Sequence, residues 1–351
     1  MKEPKKDFSK IINRLVLFIG LSVLAHLIFV LLTTERHLLG TLKNLSVFHL
    51  LAIAILMFLP WVGYAFRVNM WSKFLGEKMT FRDALQIVIT ADVTSALSPT
   101  AVGGAPVKAG LLYNKGFQPG SIAFMLTWGV IEDIVFYTLG VVLAGYYSQG
   151  LLATIGTRAG ELWKDNLVYI IIFMVIIGLY IVLISFNKLP TVLKIGHYLP
   201  SWIGERITKF KLGYRNTLSE MKKMFSMAWL KGKSRMLLSF TILLLQWMSK
   251  FSVLVIILYA FDSNIFNETP WVQVYIRQWF IYVTMLLIPT PGASGGAEAS
   301  FLLIFGSAIP EQLSYLIVSI WRFFTYYWVL IMAVVTYIFL ISKGKKKINA
   351  Q

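Results

Sequence analysis

The sequence predicts an all-α polytopic membrane protein, in which six transmembrane helices and two re-entrant helical hairpins form an inverted repeat. Three observations support this fold class. Of the 351 residues, 57% are hydrophobic and only 14% are charged, which is too little polar surface for a water-soluble globule. Six apolar stretches are long enough to cross a bilayer. Two further apolar stretches are interrupted by proline and glycine, and they resemble each other.

The six predicted spans each offer close to, or more than, the roughly 20 residues that a transmembrane helix needs. They cover residues 11–32, 45–64, 120–146, 167–186, 236–260 and 312–341. Several lysines precede the first span, as in a signal peptide, but its apolar core is long and no small-residue cleavage site follows it. We therefore expect the first span to be a retained anchor.

The two interrupted stretches, 81–116 and 271–308, are predicted to be re-entrant hairpins. Each contains a loop rich in proline and glycine, and residues of these types end helices. The loops read Ser98-Pro99-Thr100-Ala101-Val102-Gly103-Gly104-Ala105-Pro106 and Pro289-Thr290-Pro291-Gly292-Ala293-Ser294-Gly295-Gly296. Unpaired backbone at membrane depth requires surrounding protein or a water-filled cavity. We expect each stretch to enter and leave the membrane on one side.

The order of these elements predicts a duplication, with halves 1–165 and 166–351. Each half contains two spans, a hairpin (81–116 or 271–308) and a further span. Three full crossings is an odd number, so the second copy must be inserted upside down relative to the first. Inverted repeats of this kind are common in secondary transporters.

The net charge of +17 predicts the orientation of the chain. The segments assigned to the cytoplasm (1–14, 65–82, 187–235 and the residues after Ser342) contain 24 Lys and Arg residues, whereas the segments assigned to the outside (33–44, 147–166 and 261–270) contain four. This asymmetry follows the positive-inside rule and predicts that both termini are cytoplasmic. Nucleic-acid binding is not expected, because the basic residues lie between apolar spans.

The segment 188–235 carries eleven of the basic residues among aromatic and aliphatic ones. This pattern is typical of amphipathic helices that lie on the inner membrane surface and attract anionic lipid. It is equally consistent with a cytoplasmic loop whose charges only set the topology.

Ionisable residues inside a bilayer are costly, so each is a functional candidate. Asp92, Glu132, Asp133 and Arg322 are assigned to coupling or gating. Glu132, Asp133 and Arg322 fall near the middle of matching spans, which predicts an ion pair between the two halves. The alternative is a structural bridge with no role in transport. Minor candidates are Lys250 and Arg277, as side chains that snorkel, and Trp61, Trp71 and Trp271, as membrane-interface residues.

The hairpin loops end where short helices begin, and free backbone N–H groups at a helix start favour anions. The residues predicted to bind substrate are Gly103, Gly104, Lys108, Gly295, Gly296, Glu298 and Tyr326. Glu298 could instead cap its helix or bind a cation or hydroxyl, and the glycine pairs could simply permit close helix packing. No catalytic residue, cofactor or metal is expected, because Cys is absent and no two of the four His residues have metal-ligand spacing.

These motifs resemble the flippase-like transmembrane family named after lysylphosphatidylglycerol synthase, the membrane half of the bacterial multiple peptide resistance factor. The family pattern P-x-x-x-G-G-x-P-x-[RK] is seen here in Pro99, Gly103, Gly104, Pro106 and Lys108. A second pattern, P-x-P-G-x-x-G-x-x-E, is seen in Pro289, Pro291, Gly292, Gly295 and Glu298. Two further elements match at Glu132-Asp133 and at Trp321, Arg322, Tyr326 and Tyr327. Lys108 replaces the usual Arg, and Asp133 stands where Arg is common.

The resemblance implies an integral membrane protein of the bacterial cell membrane that moves an anionic or aminoacylated phospholipid, or a lipid-linked sugar, between leaflets. Lysyl transfer belongs to a soluble domain of the family, which is not expected here because the chain ends at Gln351. The alternative function is an intramembrane transferase, or its partner subunit, with Asp92 and Glu298 as an acid/base pair; a third is a scaffold for a lipid-modifying enzyme. Membrane lipids are the expected partners. A lipid-modifying enzyme and a second copy of the chain, as in a homodimer, are compatible with the sequence as further partners.

Overall fold

The computed structural model describes residues 40–97, 104–147, 201–286, 288, 291–306, 308–309, 311–333 and 335–336. These residues form helices and connecting turns without any strand, which confirms the all-α class for this part of the chain. Within the described residues, four helices are long and apolar enough to cross a membrane: Val47–Phe74, Pro119–Ala144, Lys233–Phe261 and Leu313–Ala333. The predicted spans 11–32 and 167–186 lie outside the described residues, as does Gly103.

The first long helix, α1 (Val47–Phe74), begins at Ser46, whose hydroxyl accepts a hydrogen bond from the backbone N–H of His49 at 3.4 Å. This contact satisfies one of the free N–H groups of the first turn. Position 64 was the predicted end of this span, but the helix continues to Phe74. Arg67 therefore lies on a continuous helix that packs against the core, and not in a connecting segment after the helix.

The first hairpin consists of α2 (Phe81–Leu97) and α3 (Gly104–Asn114), which pack against each other. Lys115 donates a hydrogen bond of 2.5 Å to Asp83, and the hydroxyl of Thr80 donates one of 2.7 Å. Burial works to raise the pKa of Asp83, but these hydrogen bonds outweigh it and hold the pKa below its usual value. The start of α2 is thereby joined to the end of α3.

The next two helices are α4 (Pro119–Tyr147) and α5 (Ser201–Lys231), and α5 packs against α4. Gly120 N–H, at the start of α4, donates a hydrogen bond of 3.2 Å to the carboxylate of Glu220 on α5. The rings of Phe124 and Phe225 contact each other with centroids 4.8 Å apart. Most of the basic segment 188–235 thus forms one long helix, which packs against the candidate membrane span α4.

The remaining elements surround the second hairpin. Helix α6 (Lys233–Phe261) packs along α1, and a short α7 (Ile265–Glu268) leads into α8 (Trp271–Leu286). A 3-10 turn at Pro291–Ala293 then precedes α9 (Gly296–Phe305). Apolar side chains from α1, α6, α9 and the last helix form the core here, including Ile53, Leu254, Ile257, Phe301 and Trp321.

The last helix changes its hydrogen-bonding pattern in the middle. Helix α10 (Glu311–Arg322) continues directly into a π-helical segment, Phe323–Trp328. Such segments are rare, and they occur frequently at functional sites. This one contains Tyr326 and Tyr327, which are both buried.

Candidate functional site

A cavity of about 280 Å³ lies between α1, α2, α4, α6, α8 and the π-helical segment. Its polar lining consists of Arg67, Asp92, Asp133, Gln246, Lys250 and Thr325, and its aromatic lining of Trp61, Tyr64, Trp247, Tyr282 and Tyr326. Two cationic and two acidic side chains therefore share one aromatic-walled space. Enclosed spaces with a few converging polar groups are the usual form of a small-molecule site.

Arg67 is the most extensively bonded of the cavity residues. Its guanidinium forms an ion pair with Glu132 on α4, and Arg67 and Glu132 are only 5% and 3% exposed. Two further hydrogen bonds, both 3.2 Å long, run from Arg67 to Ser239 and Gln246 on α6. A buried charge is tolerated when it is paired and its hydrogen-bonding capacity is satisfied. Arg67 thus joins three helices at the cavity wall.

Pro60 alters the wall of the cavity on α1. Proline lacks an N–H group, so the carbonyl oxygen of Leu56, four residues earlier, loses its helical hydrogen bond. The hydroxyl of Ser249 on α6 donates to that carbonyl at 2.5 Å, and Gln246 donates to the carbonyl of Pro60 at 2.5 Å. In a membrane helix, side chains of neighbouring helices commonly satisfy backbone groups freed in this way. Here Ser249 fixes α6 against the proline turn of α1.

Asp92, a predicted coupling residue, lies on α2 and lines the cavity. The indole N–H of Trp61 donates a hydrogen bond of 2.7 Å to its carboxylate. Trp61 and Trp71 are both buried, so their interpretation as membrane-interface residues is wrong. The indole of Trp61 instead binds the carboxylate of Asp92, one of the two acidic residues that line the cavity.

Asp133 and Lys250 also line the cavity, from α4 and α6. Lys250 lies over the ring of Trp247, with its Nζ 4.8 Å from the ring centroid. In the part of the chain that the structure describes, neither residue takes part in an ion pair. Asp133 and Lys250 therefore line the cavity without a direct ion-pair partner among the described residues.

Lys108, the predicted phosphate ligand of the first hairpin, is only 4% exposed. Its Nζ donates a hydrogen bond of 2.8 Å to the hydroxyl of Tyr64 and lies 4.4 Å from the centroid of the same ring. Lys108 does not line the main cavity, whereas Tyr64 does. Lys108 is therefore linked to the cavity indirectly, through its hydrogen bond to Tyr64, which lines the cavity.

The second hairpin loop is held by Arg322, which is 1% exposed. Its Nε donates to Glu298 and its Nη2 donates to the carbonyl of Gly292, both at 2.8 Å. The other carboxylate oxygen of Glu298 accepts from the N–H of Gly295 at 2.7 Å, which confirms that Glu298 caps α9. The predicted ion pair of Arg322 with Glu132 or Asp133 is wrong, because Arg322 pairs with Glu298 and Glu132 pairs with Arg67.

Tyr326 connects the two hairpins. Its hydroxyl donates a hydrogen bond of 3.1 Å to the carbonyl of Ala96, at the end of α2. Its ring lies beside Arg322, with 5.1 Å between the guanidinium carbon and the ring centroid, and a side chain at Gly292 would collide with it. These contacts join Glu298, Arg322 and Tyr326 into one cluster. Of the three residues, Tyr326 lines the cavity.

The hairpin glycines differ in their surroundings. A Cβ at Gly104 would lie 2.7 Å from the carbonyl oxygen of Ala91, so this glycine permits close packing of α3 on α2. A Cβ at Gly296 would likewise collide, in this case with the side chain of Ile288. Gly295 has φ of 82°, a backbone conformation that favours glycine, and the space beside it is open.

Sequence reasoning did not single out Tyr64, Arg67 or Gln246, which are central to the site. The available signal was helical spacing. Pro60, Tyr64, Arg67 and Trp71 follow one another at intervals of four, three and four residues, so they share one face of α1.

The sequence of the chain is similar to those of known proteins. The family described as the lysylphosphatidylglycerol synthase TM region matches residues 14–333 of the chain. A relative described as a UPF0104 membrane protein, from Archaeoglobus fulgidus, is 24% identical over 299 residues. That similarity covers 84% of this chain and 87% of the relative.

Proposed function

Because the chain belongs to the family of the lysylphosphatidylglycerol synthase transmembrane region, we propose that this multi-pass membrane protein is a lipid transporter. Its substrate is an anionic or aminoacylated phospholipid, or a lipid-linked sugar, which it moves between the two leaflets of the bacterial cell membrane. The observation that carries this proposal is the charged cavity, in which Arg67, Lys250, Asp92 and Asp133 meet among aromatic side chains.

The size of the cavity supports a head group rather than a whole lipid. Sites for drug-sized ligands measure about 300–1,000 Å³. The cavity, at about 280 Å³, falls just below that range and accommodates a phosphate with a few attached atoms. Its charges replace part of the hydration that such a head group loses in the membrane, while the acyl chains stay among the lipids.

Each part of the site has a role in this proposal. Lys250 and the Lys108–Tyr64 pair bind the phosphate. Asp92 and Asp133 receive positively charged or hydroxyl groups. The second hairpin is coupled to the cavity through Glu298, Arg322 and Tyr326. The ring of Tyr326 lies against Gly292 of that hairpin and also lines the cavity.

The proposed arrangement is six spans and two re-entrant hairpins in an inverted repeat, with halves 1–165 and 166–351 and cytoplasmic termini. The chain has no cysteine, so single cysteines can be introduced without background. Cysteines at positions 102 and 293, one in each hairpin loop, should react with membrane-impermeant reagents from opposite sides. Reaction from the same side would disprove the inversion without affecting the cavity.

The alternative, an intramembrane transferase, would use Asp92 and Glu298 as acid and base. Both carboxylates are engaged: Asp92 accepts from Trp61, and the two oxygens of Glu298 accept from Arg322 and Gly295. These contacts favour a positioning role for Glu298. A transporter therefore explains the contacts more simply.

The test is lipid exchange in liposomes that contain the purified protein and fluorescent phospholipids or glycolipids. Gly129 lines the cavity from α4, and a Cβ there would meet no atom within 4 Å. Gly129→Leu should therefore fill the cavity without disturbing packing, and leucine is the better helix former by about 1 kcal/mol. We expect exchange to slow severalfold.

Gly110→Leu is the matched control. Gly110 lies on α3, is exposed and does not line the cavity, and a Cβ at this position would also meet no atom within 4 Å. The exchange rate of this variant should equal that of the wild type. A folded wild-type protein that exchanges no phospholipid or glycolipid would overturn the proposal.

A further inference from the structure

Arg277 lies on α8 and does not line the cavity. The Nε and Nη1 atoms of Arg277 are buried and have no hydrogen-bond partner among the described residues. No ion pair in that part of the chain involves this side chain. Arginine keeps its charge in proteins, and a buried charge without a partner is costly. An anion bound at the guanidinium would therefore stabilise this half-buried charge.

Arg277 lies in a strip of four side chains along α8, of which three are polar and one, Phe280, is aromatic. Residues spaced by three, four or seven positions share a face of a helix, so Gln273, Arg277, Phe280 and Thr284 lie in one row. All four are half-buried. Thr284 donates a hydrogen bond of 2.9 Å to Ser300 on α9, so the strip ends at the second hairpin. None of these residues lines the cavity, which makes the strip a separate feature.

The depth of Arg277 fits a lipid phosphate. Trp271 begins α8 and is 59% exposed, as expected of an aromatic residue at the membrane interface. Arg277 follows six residues later, which is about 9 Å along a helix. A long arginine side chain can extend back towards the interface over most of this distance. A guanidinium extended in this direction would reach the level at which phosphates meet the hydrocarbon.

From these observations we propose that Arg277 binds the phosphate of an anionic phospholipid, taken from the leaflet that surrounds the start of α8. The planar guanidinium can donate two parallel hydrogen bonds to phosphate oxygens. An anionic lipid is favoured over a zwitterionic one because no acidic side chain forms an ion pair with the site within the described residues. The site requires only the membrane location of the protein, so it stands whether or not the protein transports lipid.

The test is native mass spectrometry of the protein released from detergent micelles with dioleoyl phosphatidylglycerol or dioleoyl phosphatidylcholine. The wild type should retain one more molecule of the anionic lipid than of the zwitterionic one. Arg277→Gln should lose this difference, and Arg277→Lys should keep part of it because an ammonium group still attracts phosphate.

Arg215→Gln is the control for general charge, since Arg215 is an exposed residue on the basic helix α5. It should retain lipid as the wild type does. Equal retention of the two lipids by the wild type would overturn the proposal, even if Arg277→Gln failed to fold. An equal loss in Arg215→Gln and Arg277→Gln would also overturn it, because the binding would then be unspecific.

Discussion

Arg67 and Glu132, which lie 65 positions apart in the sequence, form a buried ion pair between α1 and α4. Hydrogen bonds from Arg67 to Ser239 and Gln246 extend this contact to α6. The same guanidinium lines the cavity. Three candidate membrane spans are therefore held in register by the residue that also supplies part of the cavity charge.

Breaking this pair should be strongly destabilising. Arg67→Met and Glu132→Met each leave one buried charge without its partner, and we expect each to lower the free energy of unfolding by about 3–5 kcal/mol. The double variant leaves neither charge, so its loss should be clearly smaller than the sum of the two. Unfolding in mixed detergent micelles measures these values. A double variant whose loss equals the sum would show that the two residues do not interact.

The contribution of Ser249 to stability should depend on the presence of Pro60. Ser249→Ala leaves the carbonyl of Leu56 without its hydrogen bond, at a cost of about 1–3 kcal/mol. In a Pro60→Ala background the backbone N–H at position 60 can satisfy that carbonyl, so the same change should cost much less. Comparing the two values in micelle unfolding isolates the proline effect. Thr241→Ala, an exposed position on α6, serves as the control.

Arg322 should not be replaceable by lysine. Its Nε and Nη2 bind two acceptors, Glu298 and the carbonyl of Gly292, and a single ammonium cannot reproduce this fork. We expect Arg322→Lys to lower stability by about 1.5–3 kcal/mol, the value of a hydrogen bond to a charged group. Arg215→Lys, at an exposed position, should change stability by less than about 0.5 kcal/mol. Equal effects of the two substitutions would contradict the described contacts.

The Asp83–Lys115 contact predicts a dependence of stability on pH. Because hydrogen bonds lower the pKa of Asp83 in the folded protein, its ionised form stabilises the fold above the unfolded value of about 3.9. This contribution is lost as the pH falls through the lower, folded pKa. The difference in Tm between wild type and Asp83→Asn should therefore be full at pH 7 and shrink below about pH 4. A difference that is constant over this range would refute the assignment.

The sequence predicted the helices better than their contacts. The helical hairpins at 81–116 and 271–308 and the transmembrane candidates near 120–146 and 236–260 appear close to their predicted bounds, because hydropathy and proline–glycine breaks act locally. The partner of Arg322 was predicted wrongly. Matching depth in two spans does not make side chains neighbours, since helix rotation and tilt depend on packing across the whole bundle.

Arg67 shows a different limit of sequence reasoning. Polar residues after residue 64 resemble the end of a span, so the positive-inside rule assigned Arg67 to the cytoplasmic side. The helix continues to Phe74, and the hydrogen-bond acceptors of the guanidinium lie on α4 and α6, which that rule does not address. Such partners come from distant parts of the chain, and local hydropathy carries no information about them.

The π-helical segment Phe323–Trp328 affects how the last helix tolerates changes in length. A wider turn holds a residue in surplus, and deleting one residue there would let the segment relax into ordinary α-helix. The same deletion in α4 would turn every later side chain by about 100° relative to the earlier ones. We therefore expect the last helix to tolerate the loss of one residue beside Tyr326. The parts of the helix before and after the segment would keep the same faces towards their neighbours.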